Sequence, residues 1–219
     1  MLRSKSKHEV SYPRNPTFRT ERTPGVVELG IHDQSAAPGD HIAYFWETDK
    51  EFTEAVKFLK VGLRNGDYCI NFGHDDANAR VREILASDFD VDELERTLQL
   101  TMLPGHRDAT QMLHAIGESF AAAQQRGSKM LRLLGNIGWG RADWPDEDAI
   151  LEFEAAVTTA IKTLPAVVVC MYDARNVPGR AMFRGAFETH PLTICRNVVR
   201  ENPHYVEAGE FIAALRSAR

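Results

Sequence analysis

The chain has 219 residues, 43% of them hydrophobic and 26% charged, with a formal charge of −5. That length and composition fit one globular domain with at most an appendage, and they exclude collagen, coiled coil and wholesale disorder. The longest strongly apolar run, residues 166–172, is far shorter than the ~20 residues that span a bilayer, and no signal-peptide stretch opens the chain. Cys69, Cys170 and Cys195 are odd in number, far apart and set in apolar surroundings. They read as buried free thiols without metal or redox spacing, as in a reducing compartment. A cytoplasmic location is expected.

Charge is unevenly placed. Residues 1–24 carry six basic side chains against Glu9 and Glu21, a balance of +4, which leaves −9 for the remainder. So acidic a body is a poor nucleic-acid platform, because neutralising phosphates needs clustered Lys and Arg. Pro13, Pro16 and Pro24 interrupt the start of the chain and no helical period appears there. Residues 1–37 are therefore expected to form a basic, mostly irregular arm, and residues 38–219 the folded domain.

From residue 38 onward, short apolar runs alternate with amphipathic stretches. Residues 41–46 predict a strand, and 49–64 a helix with Phe52, Ala55, Val56, Leu59 and Leu63 on one stripe. Asn65 and Gly66 end it, and 68–72 is the next strand. Asp75 or Asp76 caps a helix to about Ser87, and 91–96 adds a turn. Residues 98–102 and 130–134 read as strands flanking a helix over 108–125, and 146–163 is the next long helix. The run 166–172, continuous and rich in Val, reads as a buried parallel strand. Residues 179–189 and 192–195 repeat the helix–strand unit, and 208–216 closes with a helix. Strands alternating with helices predict an α/β fold, with a mainly parallel sheet sandwiched by helices.

In such sheets ligands sit beyond the carboxyl ends of the strands. Trp46, Glu47 and Thr48 follow the first strand, His74 and Asp75 the second, and Asp173 ends the strand over 166–172. A glycine-rich loop, Gly135-Asn136-Ile137-Gly138-Trp139-Gly140, follows the strand over 130–134, with Trp144 just beyond. All three tryptophans thus fall on one predicted edge. They either line a small-molecule pocket or cap the rim of the core. No Walker A string, Gly-x4-Gly-Lys-Ser/Thr, occurs anywhere, and the first strand-to-helix turn has no glycine and two carboxylates.

Glu154 lies four residues after Ile150 and three before Val157, on the apolar stripe of its helix. A carboxylate there is paired, hydrogen-bonded or protonated, because an unpaired buried charge costs several kcal/mol. It is either a polar anchor inside a pocket or an edge residue reaching water. His41 and His190 fall at strand beginnings, the edge opposite the expected pocket, where structural hydrogen bonding is the simpler reading. His74, beside Asp75 and Asp76, could join them around a divalent ion, although capping by those acids is the commoner arrangement. No Ser-His-Asp elbow, HExxH or Cys-based metal spacing occurs, so no catalytic residue, metal ligand set or cofactor is expected.

Several strings taken in order carry a family resemblance: Gly39-Asp40-His41-Ile42-Ala43-Tyr44-Phe45-Trp46-Glu47, Gly62-Leu63-Arg64-Asn65-Gly66-Asp67, Gly138-Trp139, Glu152-Phe153-Glu154, Met171-Tyr172-Asp173, Thr189-His190-Pro191-Leu192 and Glu201-Asn202-Pro203-His204-Tyr205. Together they resemble the MEDS family of sensory domains, named from methanogens, methylotrophs and a dichloromethane-responsive regulator. The resemblance implies a RecA/KaiC-like fold with a degenerate phosphate loop. It also implies the sensing of small organic molecules, hydrocarbon derivatives among them, relayed to transcription or signalling. Carried over by motif, His41, Glu47, Trp139, Glu154, Asp173 and His190 are the matching positions.

The expectation is a sensor or regulatory domain that binds a small organic ligand through Trp46, Glu47, His74, Trp139, Trp144, Glu154 and Asp173, with His41 and His190 as motif positions of open role. It would signal through a transcription-regulatory or signalling partner or through homo-oligomerisation, with no direct nucleic-acid or membrane contact. The alternatives are a nucleotide-binding KaiC-like protein with a degenerate loop and a ligand-free interaction scaffold.

Overall fold

Valine, isoleucine and aromatic runs form strands here because their branched or flat side chains pack well on a pleated surface. The computed structural model describes residues 25–218. A short ribbon comes first, β1 (Val27–Glu28) paired antiparallel with β2 (Ser35–Ala36). The main sheet contains β3 (His41–Trp46), β4 (Tyr68–Gly73), β5 (Leu100–Pro104), β6 (Leu131–Asn136), β7 (Ala166–Asp173), β8 (Leu192–Cys195) and β9 (Val198–Glu201). Its order is β5-β4-β6-β7-β3-β8-β9, with every neighbouring pair parallel except β8 and β9. The expected α/β sandwich is the one observed.

Helices cover both faces. On one side lie α1 (Asp49–Asn65), α2 (Asp75–Ala86) and α3 (Val91–Arg96); on the other lie α4 (Ala109–Gln125), α5 (Glu147–Ile161) and α6 (Ala208–Ser217). The period-2 pleat of β7 divides its side chains between them. Val167, Val169 and Met171 join the α1 face, whereas Ala166, Val168, Cys170 and Tyr172 join the α5 face. The termini of α1 follow directly from sequence. Thr48 and Glu51 form a capping box, and Gly66 takes the left-handed conformation (φ 78°) that closes the helix.

Three features depart from expectation. The arm expected over 1–37 is not irregular where it is described: 27–36 is the ribbon, and its Leu29 and Ile31 are fully buried. Gly30 (φ 69°) lies flat against the Lys57 carbonyl on α1, and a side chain there would collide with Val61. Arg132 of β6 holds the ribbon from beneath, donating to the Glu28 carbonyl at 2.7 Å and pairing with Asp67 at 2.7 Å. The rest of the arm, residues 1–24, lies outside the described residues. Second, the helix expected over 179–189 is present, but its central stretch, Ala181–Phe187, is wound as a π-helix. A seven-residue stretch is too short for hydrophobic spacing to separate the two windings, and π turns concentrate at functional sites. Third, β9 extends the sheet through a two-residue turn at Arg196 (φ 50°) and Asn197 (φ 69°). That geometry usually carries glycine, and its absence hid the hairpin.

Candidate functional site

The polar residues of the α5-facing core converge on one point. Glu154 of α5, His41 at the start of β3, Cys170 in β7 and His190 just before β8 are all buried, and the carboxylate and both histidines have no exposure at all. One ligand-type atom from each of these four lies within 4.8 Å of the others. Tyr172 donates to Glu154 Oε1 at 3.0 Å, while Glu154 Oε2 lies 3.6 Å from both His41 Nε2 and His190 Nε2. Cys170 Sγ lies 3.5 Å from that same oxygen and 3.2 Å from His41 Nε2. The two histidine rings lie against each other, tilted by 39°, with centroids 3.9 Å apart.

The outer hydrogen bonds fix which ring nitrogens carry protons. Thr158 Oγ1 sits 2.7 Å from the Thr189 carbonyl, which can only accept, so its hydroxyl donates there and accepts from His41 Nδ1 at 2.7 Å. His190 Nδ1 lies 3.0 Å from the Gly185 carbonyl and therefore donates to it. Both neutral rings thus present an Nε2 lone pair to the centre. Among the described residues His190 Nε2 finds no hydrogen-bond partner. Burial holds His190 down to about 3, and burial together with the His190 ring keeps His41 well below the usual histidine range. Burial raises the Glu154 carboxyl to about 7 despite the hydrogen bonds from Tyr172 and Cys170. The Cys170 thiol is pushed up by burial and by the neighbouring carboxylate.

This arrangement corrects the expectation that separated Glu154 from the two histidines. Cys170, Tyr172 and Thr158 were missed as members. The available signal was parity: Cys170 and Tyr172 share the β7 face that meets α5, so a carboxylate on the α5 stripe faces both. The expected edge residues do not form one pocket wall. Trp46 packs with the α1 face, edge-on to Phe52 and near the guanidinium groups of Arg80 and Arg175, whereas Trp139 and Trp144 belong to the α5 face. Trp144 fills the space over Gly105 and Gly138, where any side chain would overlap its ring. Trp139 lies against Tyr172 and Gly185, and its buried Nε1 has no hydrogen-bond partner among the described residues. Asp173 is held below the usual carboxylate range: burial pulls it upward, but hydrogen bonds from Asn176 and Arg175 outweigh that. Glu47 is exposed. His74 itself caps α2, accepting from Ala77 N at 3.4 Å, so neither Asp75 nor Asp76 is the cap.

Aromatic rings connect the centre to the surface. Tyr172 meets Phe45 at 6.0 Å, Phe45 stacks on Phe187 at 5.1 Å, and Phe187 neighbours His204 and the exposed Phe183. The first strand-to-helix turn is closed to anions by its own carboxylate. Glu51 Oε2 accepts from Glu47 N at 2.9 Å, Thr48 N at 3.0 Å and Thr48 Oγ1 at 3.0 Å. A phosphate loop would offer such amides to a nucleotide.

A mainly parallel α/β sheet of this order, covered by helices on both faces, is a KaiC-like architecture. The fold is similar to that of a KaiC-like protein from the hyperthermophilic archaeon Pyrococcus horikoshii OT3, with a TM-score of 0.56 and 16% identity over 82% of this chain and 89% of that one. Residues 40–191 match the MEDS family, the MEthanogen/methylotroph, DcmR Sensory domain, and the chain belongs to it. It is 25% identical over 189 residues to the transcriptional repressor DcmR of Methylorubrum extorquens, covering 84% of this chain and 71% of the repressor. Among the described residues no helix is long and apolar enough to cross a membrane.

Proposed function

We propose that the protein is a sensor that takes up a small organic molecule, apolar but for one polar atom, and passes its occupancy to a transcription-regulatory partner. The observation that carries this reading is the aromatic run from Phe183 and Phe187 through Phe45 to Tyr172, ending on the buried polar centre. Aromatic side chains would supply apolar affinity, and Trp139 Nε1, without a partner among the described residues, offers one donor to orient a polar atom. Family membership and similarity to a transcriptional repressor support the regulatory role. Signalling follows when the ligand binds one of two conformations more tightly, since equal affinity shifts nothing. The π-helix is the fitting relay, because Gly185 touches Trp139 while its carbonyl accepts from His190.

A thermal-shift screen tests the proposal by comparing short halogenated, methylated and aliphatic compounds with ATP·Mg²⁺. A ligand at 100 times its dissociation constant adds about 2.7 kcal/mol of stability. The expected result is a shift from an organic compound that is lost in Phe187→Ala. A shift from ATP·Mg²⁺ alone would overturn the reading in favour of a retained nucleotide site.

A further inference from the structure

The centre has a property that the sensor reading neither uses nor requires. His41 Nε2, His190 Nε2, Glu154 Oε2 and Cys170 Sγ are all acceptors or ionisable ligands, brought together from β3, the lead into β8, α5 and β7. Few protons are available to reconcile them. The Cys170 thiol can serve either His41 Nε2 or Glu154 Oε2, and among the described residues His190 Nε2 has no hydrogen-bond partner. Convergent lone pairs in a dry core repel one another unless a proton or a metal cation lies among them. Four of the separations, 3.2, 3.5, 3.6 and 3.6 Å, can be compared with a coordination polyhedron. A tetrahedral ion with bonds of roughly 2.0–2.3 Å places its ligands about 3.3–3.7 Å apart.

The geometry points to a mononuclear site for a divalent, borderline-soft cation of the Zn²⁺ class, ligated by His41 Nε2, His190 Nε2, Cys170 Sγ and Glu154 Oε2. The ligand set suits such an ion: imidazole and thiolate favour it over Mg²⁺ or Ca²⁺, which take oxygen. Charge also closes. A thiolate and a carboxylate neutralise the dication, so the buried site carries no net charge, and the protons of the thiol and of any protonated carboxyl leave to solvent. The outer shell is already built. Thr158 and the Gly185 carbonyl hold each histidine through Nδ1 in the tautomer that ligates through Nε2, and Tyr172 holds the second carboxylate oxygen. Sequence spacing cannot show such a site, because its ligands come from β3, α5, β7 and the lead into β8.

The test uses the full chain and the metal alone. Protein stripped with chelator and shown to remain folded by circular dichroism is titrated with Co²⁺. One equivalent is expected to bind, with thiolate-to-Co²⁺ charge-transfer absorption and the intense visible bands of a tetrahedral ion. Cys170→Ser is expected to lose the charge-transfer band, and His190→Ala to lower affinity at least tenfold, whereas Cys69→Ser and Cys195→Ser change neither. Zn²⁺ should displace the Co²⁺ and abolish the colour. A folded wild type that binds no Co²⁺, or a charge-transfer band that survives in folded Cys170→Ser, would overturn the site. Because no organic compound is present, either result leaves the sensor reading to its own screen.

Discussion

His41 and His190 turn their Nε2 atoms toward a single carboxylate oxygen, Glu154 Oε2, each at 3.6 Å. Two neutral rings in that pose offer it only lone pairs, so their orientation is imposed from behind, through Nδ1. For His41 the imposing group is Thr158, whose hydroxyl also donates to the Thr189 carbonyl.

Thr158→Val keeps the side-chain volume but leaves His41 Nδ1 and the Thr189 carbonyl without partners. The expected cost is about 1–3 kcal/mol, read by chemical denaturation of the metal-free protein. Co²⁺ affinity should fall by roughly 10–100-fold, as for other losses behind a ligand. Thr158→Ser should restore both. Unchanged Co²⁺ affinity in Thr158→Val would show that His41 is oriented by something else.

Gly185 couples the π-helix to the site by contact. A Cβ built there would lie 2.9 and 3.0 Å from two atoms of the Trp139 ring. That ring is buried and cannot swing into solvent, so Gly185→Ala is expected to cost about 1–3 kcal/mol by overpacking. Indole fluorescence and denaturation check it. An unchanged midpoint would mean that the π-helix gives way freely, which removes it as a relay.

Most of the architecture could be read along the chain. The stripe Phe52, Ala55, Val56, Leu59 and Leu63 and the continuous run at 166–172 state their geometry locally, because helix and strand periods are properties of neighbours in sequence. The site could not be read this way. Glu154 announced itself as a carboxylate on an apolar stripe, but its partners arrive from strands whose order, with β7 between β6 and β3, is decided only by the fold. His41 and His190 look remote from Glu154 if each strand is reduced to a beginning and an end. They meet because β3 lies between β7 and β8 and α5 packs over β3 and β7. The ribbon was hidden for a related reason: Leu29 and Ile31 are too few to show a period, and Arg132, which holds them, is a hundred residues away.

Arg132 is almost fully buried, with its guanidinium shared among Asp67, the Glu28 carbonyl and the Phe58 carbonyl. Removing Asp67 leaves a buried cation with neutral acceptors only, so Asp67→Ala is expected to lose about 3 kcal/mol. The loss should be felt first where Arg132 holds the ribbon. Limited proteolysis should therefore cut 27–36 faster in the variant than in the wild type. Equal cutting rates would show that Leu29 and Ile31 hold the ribbon without the arginine.

His74 supplies the clearest pH signature away from the buried centre. Its Nδ1 accepts from Ala77 N at the start of α2, so capping requires the neutral ring. Its pKa is lowered from the ordinary 6.5, chiefly by burial and then by the Arg141 guanidinium, with Asp76, Asp143 and Asp75 offsetting part of the effect. A histidine titrating lower in the folded chain than in the unfolded one binds fewer protons when folded. Its contribution is therefore fully present above pH 6.5 and is lost as the pH falls through the folded value. Protonation also puts a positive ring at the positive end of a helix, which adds to the loss. His74→Asn keeps a cap but cannot titrate. Other groups also make stability depend on pH in this range, the buried histidines among them through their protonation in the unfolded chain, but they are common to both proteins and cancel in the difference. Denaturation midpoints measured between pH 7.5 and 5 should show the wild type losing on the order of 1 kcal/mol more than His74→Asn. Parallel pH profiles would mean that α2 keeps its first turn whether or not the ring is charged, and that His74 is not its effective cap.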